Sequence, residues 1–170
     1  MDLRSFIRDI PNYPKEGITF FDITPLLGDG AAFQAAIDAM AARFAGTEAT
    51  KIVAAEARGF IFGAPLAYKL GLGFVPVRKP GKLPYKTMSV TYDLEYGSDM
   101  LQMHTDAVQP GEKVIIIDDL IATGGTMDGI IQLVRQAGAE IAGMGFLIEL
   151  SFLPGKDKLH GLPYEYIVQL

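Results

Sequence analysis

The chain has 170 residues, 49% of them hydrophobic and 21% charged, which suits one domain with enough apolar material for a sizeable core. Its formal charge of -5 and pI near 5.0 argue against a surface built to neutralise nucleic-acid phosphates, which needs a field of Lys and Arg. The absence of cysteine excludes disulfides, thiolate catalysis and Cys-based zinc sites, and His104 and His160 stand too far apart for a helical metal-binding pair.

The first residues carry no apolar core with a cleavage site, and no stretch approaches the roughly 18 apolar residues of a bilayer span, so a soluble, cytoplasmic protein is expected. Gly and Pro are scattered instead of pooled into a linker, and no repeat shows, so residues 1–170 are expected to form a single domain.

Leu3, Phe6, Ile7 and Ile10 recur at helical spacing up to Pro11, predicting a short amphipathic helix at the start. An Ala-rich run from Ala31 to Phe44 predicts a longer helix closed by Gly46. Ile52-Val53-Ala54-Ala55 is too brief for a helix and reads as a buried strand. A helix from about Phe60 to Leu70 and a strand around Gly73–Val77 follow, and strand-helix-strand is the signature of a parallel sheet. Arg78 to Pro84 is a Gly/Pro/Lys-rich connection, and Thr87–Tyr92 and Asp99–His104 read as two arms of an antiparallel excursion. The strongest strand, Lys113 to Ile117, runs into Asp118-Asp119 and is followed by a helix from about Gly124 to Ala137. Strands at Glu140–Glu149 and near Tyr164–Val168 complete an α/β fold with a mostly parallel central sheet.

Chemistry enters at Asp118-Asp119-Leu120-Ile121-Ala122-Thr123-Gly124-Gly125-Thr126. A hydrophobic strand delivers two adjacent carboxylates to its C-terminal edge, where open α/β sheets bind ligands. Thr123, two glycines and Thr126 then open a helix with unpaired N–H groups and the positive end of its dipole, which makes a phosphate cradle. A turn at Asp119 capped by Thr123 would explain one acid and one hydroxyl, but neither the acid pair nor the double glycine. The segment lacks the Gly-Lys-Ser/Thr ending of a Walker loop and the spacing of a dinucleotide fingerprint. Vicinal acids before a phosphate cradle suit the two neighbouring hydroxyls of a ribose bearing that phosphate.

Val114 to Thr126 resembles the signature loop of the type I phosphoribosyltransferases. Three further segments resemble the adenine branch of that family: Gly17 to Leu26, Glu56-Ala57-Arg58-Gly59-Phe60, and Arg78 to Pro84 continuing to Tyr92-Asp93-Leu94-Glu95-Tyr96-Gly97. The resemblance implies transfer of ribose 5-phosphate from phosphoribosyl pyrophosphate to N9 of adenine, with Mg2+, in a homodimer. It implies an N-terminal hood over residues 1–30 and a flexible catalytic loop over 78–104.

By that resemblance Asp118 and Asp119 hold the ribose hydroxyls, and Ala122, Thr123, Gly124, Gly125 and Thr126 hold the 5-phosphate. Glu56, Ala57 and Arg58 form the pyrophosphate loop, with a non-proline cis bond expected between Glu56 and Ala57. Arg78, Lys79 and Lys82 meet the donor's charge, and Arg78 reaches toward a neighbouring subunit. Glu95, with Tyr96 beside it, matches the catalytic glutamate, either taking the N9 proton or steadying charge on the ribosyl carbon. Phe20, Ala122 and Leu150 sandwich the base, while the backbones of Thr19 and Phe21 read its edge. The metal is expected to be held mainly through substrate, near Asp118 and Asp119.

Phe21 departs from the Arg found in many relatives, so another purine base (xanthine, guanine or hypoxanthine) stays open, as does a regulator that binds the donor without catalysis.

Overall fold

The computed structural model describes residues 1–94 and 96–170. Its centre is a five-stranded, wholly parallel sheet built from β3 (Lys51–Ala55), β4 (Gly73–Val77), β7 (Lys113–Ile121), β8 (Glu140–Glu149) and β9 (Tyr164–Gln169), in the order β4-β3-β7-β8-β9. Two antiparallel pairs flank it: β1 (Arg8–Pro11) with β2 (Thr19–Asp22), and β5 (Thr87–Asp93) with β6 (Ser98–His104).

The period of two along β7 explains the layering. Ile115 and Ile117 point into a core shared with Ile37, Met40, Phe62 and Leu66 of helices α2 (Gly30–Arg43) and α3 (Arg58–Leu70). Val114 and Ile116 point to the other face, against Ile130 and Val134 of α4 (Gly125–Gln136) and Tyr92 and Leu101 of the β5–β6 hairpin. Such two-sided burial is what continuous apolar strands require.

Local signals set the helix ends. The Asp29 side chain accepts from the Ala32 N–H at 2.9 Å and caps α2, and Gly71, left-handed at φ 71°, closes α3. A short helix α1 (Thr24–Gly28), with Pro25 in its first turn, links β2 to α2.

The expected opening helix is corrected. Leu3–Phe6 form only a 3-10 turn, and Arg8–Pro11 pair with β2, placing Ile10 opposite Phe20. Pro11 cannot continue a helix, and the non-local pairing outweighs the local spacing. A second 3-10 turn, Pro154–Leu159, falls where no element was expected. The other expected helices and strands are present with ends shifted by one or two residues, except that the strand expected at Lys113–Ile117 runs four residues further, to Ile121, and takes in Asp118 and Asp119.

The crossover pattern fixes where a ligand goes. From β3 the chain moves outward to β4, whereas from β7 it moves the opposite way to β8, so the connections diverge between β3 and β7. The carboxyl ends of those two strands therefore frame a crevice. Among the described residues, no helix is long and apolar enough to cross a membrane.

Candidate active site

A cleft of about 400 Å³ lies at that crevice, lined by Glu56–Arg58 after β3 and by Asp118–Met127 at the end of β7 and the start of α4. It gathers the expected ribose, phosphate and pyrophosphate residues into one space.

Asp119 is 5% exposed, and its Oδ2 has no hydrogen-bond partner among the described residues. Arg58 Nε stands 3.0 Å from that oxygen, an ion pair whose direction is not that of a hydrogen bond. A buried carboxylate oxygen left in this state is poised to accept from a ligand hydroxyl. Its neighbour is pinned: Asp118 Oδ1 accepts from the Asp119 N–H at 2.8 Å. Burial first, then the adjacent Asp119 charge, push the Asp118 carboxyl well above the usual carboxylate range. Gly59 approaches this carboxylate so closely that a Cβ there would lie 3.1 Å from Asp118 Oδ1.

Gly124 is left-handed at φ 82° and is followed directly by the first turn of α4, so the loop that lines the cleft opens a helix whose first N–H groups lack intrahelical partners. The hairpin packs on that turn: a Cβ on Gly125 would lie 3.0 Å from Asp93 O, and one on Gly129 would lie 3.1 Å from the Tyr92 ring.

The peptide between Glu56 and Ala57 is cis, as expected. The Glu56 carboxylate accepts from the Lys79 N–H at 2.8 Å and from Arg78 Nε at 3.1 Å. The first of these bonds, with Arg78 adding, holds the Glu56 carboxyl below its ordinary range. Glu56 thus ties the basic connection to the loop after β3.

The Arg58 guanidinium sits 5.7 Å from the centre of the Phe20 ring in β2, between Thr19 and Phe21. Leu150 is buried, and its N–H donates to Ile121 O at 3.1 Å, beside Ala122.

Arg78, Thr19, Phe20, Phe21 and Leu150 lie outside the lining of that cleft, as do Lys79, Lys82 and Tyr96. The Lys79 ammonium is bound to Asp99 and reaches the Tyr92 hydroxyl at 3.3 Å. Lys82 is exposed, and Tyr96 is 82% exposed. Glu95 lies outside the described residues. Sequence reasoning missed the partners Asp99 and Tyr92 and the tight approach of Gly59, because each arises from a contact between elements distant in the chain.

Among the described residues, no cluster of three His, Cys, Asp or Glu could hold a metal ion unaided.

The phosphoribosyl transferase domain family matches residues 26–163. The adenine phosphoribosyltransferase of Solidesulfovibrio magneticus is 69% identical over 170 residues, covering 100% of this chain and 99% of that one. The crystal structure of adenine phosphoribosyltransferase from Thermoanaerobacter pseudethanolicus superposes with a TM-score of 0.96 at 50% identity, covering 99% of this chain and 98% of that one. The Saccharomyces cerevisiae enzyme, complexed with an imino-altritol bisphosphate and adenine, superposes with a TM-score of 0.93 at 42% identity, covering 98% and 97%. Paired acids, glycine-lined helix start and cis-bonded arginine loop thus occur in a chain that matches such proteins from end to end, and it belongs to the phosphoribosyltransferase family, in the adenine phosphoribosyltransferase branch.

Proposed function

We propose that this protein transfers the ribose 5-phosphate group of phosphoribosyl pyrophosphate to N9 of adenine, giving AMP and pyrophosphate. The observation that carries the reading is the acid pair Asp118-Asp119 in the last four residues of β7, before the Ala122–Thr126 cradle, lining one cleft with the Glu56–Arg58 loop. A ribose whose two hydroxyls meet the carboxylates has its 5-phosphate in the cradle and its pyrophosphate toward Arg58.

The bond from the ribosyl carbon to the pyrophosphate oxygen breaks, N9 of adenine bonds to that carbon, and the N9 proton leaves. Arg58 offsets charge on the departing pyrophosphate, and Arg78, Lys79 and Lys82 extend that field from the 78–84 connection. Glu95, between Leu94 and Tyr96 in the sequence, accepts the N9 proton or steadies the cationic ribosyl carbon. Phe20 and Leu150 sandwich the purine with Ala122, and the Thr19 and Phe21 backbones read its edge.

The residues fit Mg2+ shared with the substrate: the orphaned Asp119 oxygen and Asp118 would hold the ion, and the donor's own oxygens would supply most of its ligands. When bound, the ion neutralises pyrophosphate charge. Residues 1–170 act as one domain in a cytoplasmic homodimer, with 1–30 as the hood and Arg78 directed to the neighbouring subunit.

The test is a panel: protein, Mg2+ and donor with adenine, guanine, hypoxanthine or xanthine, following pyrophosphate. Release with adenine and AMP as product supports the reading. Release with a different base alone, or binding without release, overturns it.

A further inference from the structure

Gly155 has the tightest surroundings of all the glycines in the chain, and it faces the back of the phosphate cradle. A Cβ there would lie 2.2 Å from Ala122 O and 2.9 Å from Ile121 Cγ1. The approach is mutual: a Cβ on Gly124 would lie 2.5 Å from Gly155 O and 3.1 Å from Lys158 Cβ. Backbone oxygens cannot swing aside as side-chain ends do, so two stretches of main chain touch where only glycine permits it.

The turn that carries Gly155 is itself anchored at both ends. At its start the Leu153 N–H donates to Leu150 O at 3.1 Å. At its end Leu159 is buried in the core beneath α4, and the Leu162 N–H donates to Leu159 O at 3.0 Å. His160, left-handed at φ 53°, places Nε2 2.6 Å from Asp128 Oδ1 in the first turn of α4. The turn is therefore clasped to the same helix whose N-terminus forms the cradle.

We infer that the Pro154–His160 turn is the template that sets the phosphate loop, and that Gly155 is its positioning residue. The inference rests on the phosphoribosyl reading and adds a role that no cradle residue supplies. A loop of glycines and threonines has little stiffness of its own, because glycine surrenders the most conformational freedom on ordering. The main chain of Gly155 and the Lys158 stem fill the space into which Ala122 and Gly124 would relax. The N–H groups then stay aimed at one anion position before the anion arrives. Gly155 touches no substrate; it acts through Ala122 and Gly124.

The test is calorimetry of the whole protein with two probes, ribose 5-phosphate and magnesium pyrophosphate, on wild type, Gly155→Ala and His160→Asn. Asn tolerates the left-handed backbone but is too short to reach Asp128. Gly155→Ala is expected to weaken ribose 5-phosphate by about tenfold or more, since misplacement on the order of 1 Å is costly in a preorganised site. Pyrophosphate, held by the Glu56–Arg58 loop, should change by less than about twofold. His160→Asn should show the same one-sided loss at smaller amplitude, about threefold, and decides the matter if Gly155→Ala does not fold. Unchanged ribose 5-phosphate affinity in a folded variant, or a parallel loss of both probes, overturns the inference. A wild-type protein that takes up pyrophosphate but not ribose 5-phosphate would instead remove the phosphoribosyl reading, and the template with it.

Discussion

Arg58 Nε lies 3.0 Å from the buried Oδ2 of Asp119, and the same guanidinium stands 5.7 Å from the centre of the Phe20 ring. One side chain therefore joins the acid pair of β7 to the aromatic of β2. Its side chain is 45% exposed, so the ion pair is screened and exchanges at little cost for a stronger anion. Arg58→Ala is expected to lower kcat/KM by about 10²–10³, the usual loss when one preorganised donor to developing charge is removed. Arg58→Lys should restore little, because an ammonium cannot reproduce the planar fork. Initial rates of pyrophosphate release read both outcomes.

Asp118 offers a pH test. Its carboxyl is pushed up by burial and then by the Asp119 charge, so the folded protein holds that proton more tightly than the unfolded chain. The resulting stability is present below the ordinary carboxylate range and is lost as pH rises through the folded value. At neutral pH, above the ordinary carboxylate range, the Asp118 carboxyl is thus a net cost to folding. Asp118→Asn keeps an oxygen for the Asp119 N–H, and should raise Tm at pH 7, with the gain shrinking as pH falls into the ordinary carboxylate range. It should lower kcat/KM by roughly 10–100-fold through loss of a charge-assisted bond. Melting curves across pH and steady-state rates check the two signs.

Glu56 links the loop after β3 to Arg78 and Lys79 through two hydrogen bonds. Its depressed carboxyl contributes stability above the ordinary glutamate range, lost as pH falls through the folded value. Glu56→Ala should therefore loosen the 78–84 connection locally. Trypsin would then cleave after Lys82 several-fold faster than in wild type, with little change in Tm, because proteolysis tracks the population of the opened segment.

Glu95→Gln separates binding from chemistry. Loss of a group that handles a proton in the transition state typically costs about 10²–10⁴ in rate. A fall in kcat of that size, with donor affinity measured by calorimetry nearly unchanged, is the expected result.

Gly145 in β8 tests the core behind the site. A Cβ there would lie 2.8 Å from Ile117 Cδ1 and 2.8 Å from the Phe44 ring. Gly145→Ala should destabilise by about 1–3 kcal/mol through overpacking, read as a lower urea midpoint.

The parts of this protein legible in its sequence are those whose information is local. The Val114–Ile117 run and the glycines after Asp119 announce a strand, an acid pair and a helix start within a dozen residues, and all three are present. The N-terminal segment was not legible: Leu3, Phe6 and Ile7 have helical spacing, yet Ile10 opposite Phe20 decides the outcome, and four-residue strands show no alternation to read. The turn at Pro154–Leu159 escaped for a similar reason. Gly155 matters because of Ala122, over thirty positions earlier, and no periodicity encodes a backbone contact at that range. Lys79 illustrates the limit for the site, since its charge is plain in the sequence but its partner Asp99 is set by the β5–β6 register.

The most direct measurement is a calorimetric titration of the folded protein with phosphoribosyl pyrophosphate and Mg2+ in the absence of any base. Saturable uptake at one site per chain, weakened at least tenfold by Asp119→Asn, is the predicted result. No heat of binding from wild-type protein would contradict the claim that the Asp118-Asp119 edge and the Ala122–Thr126 cradle hold a phosphorylated ribose.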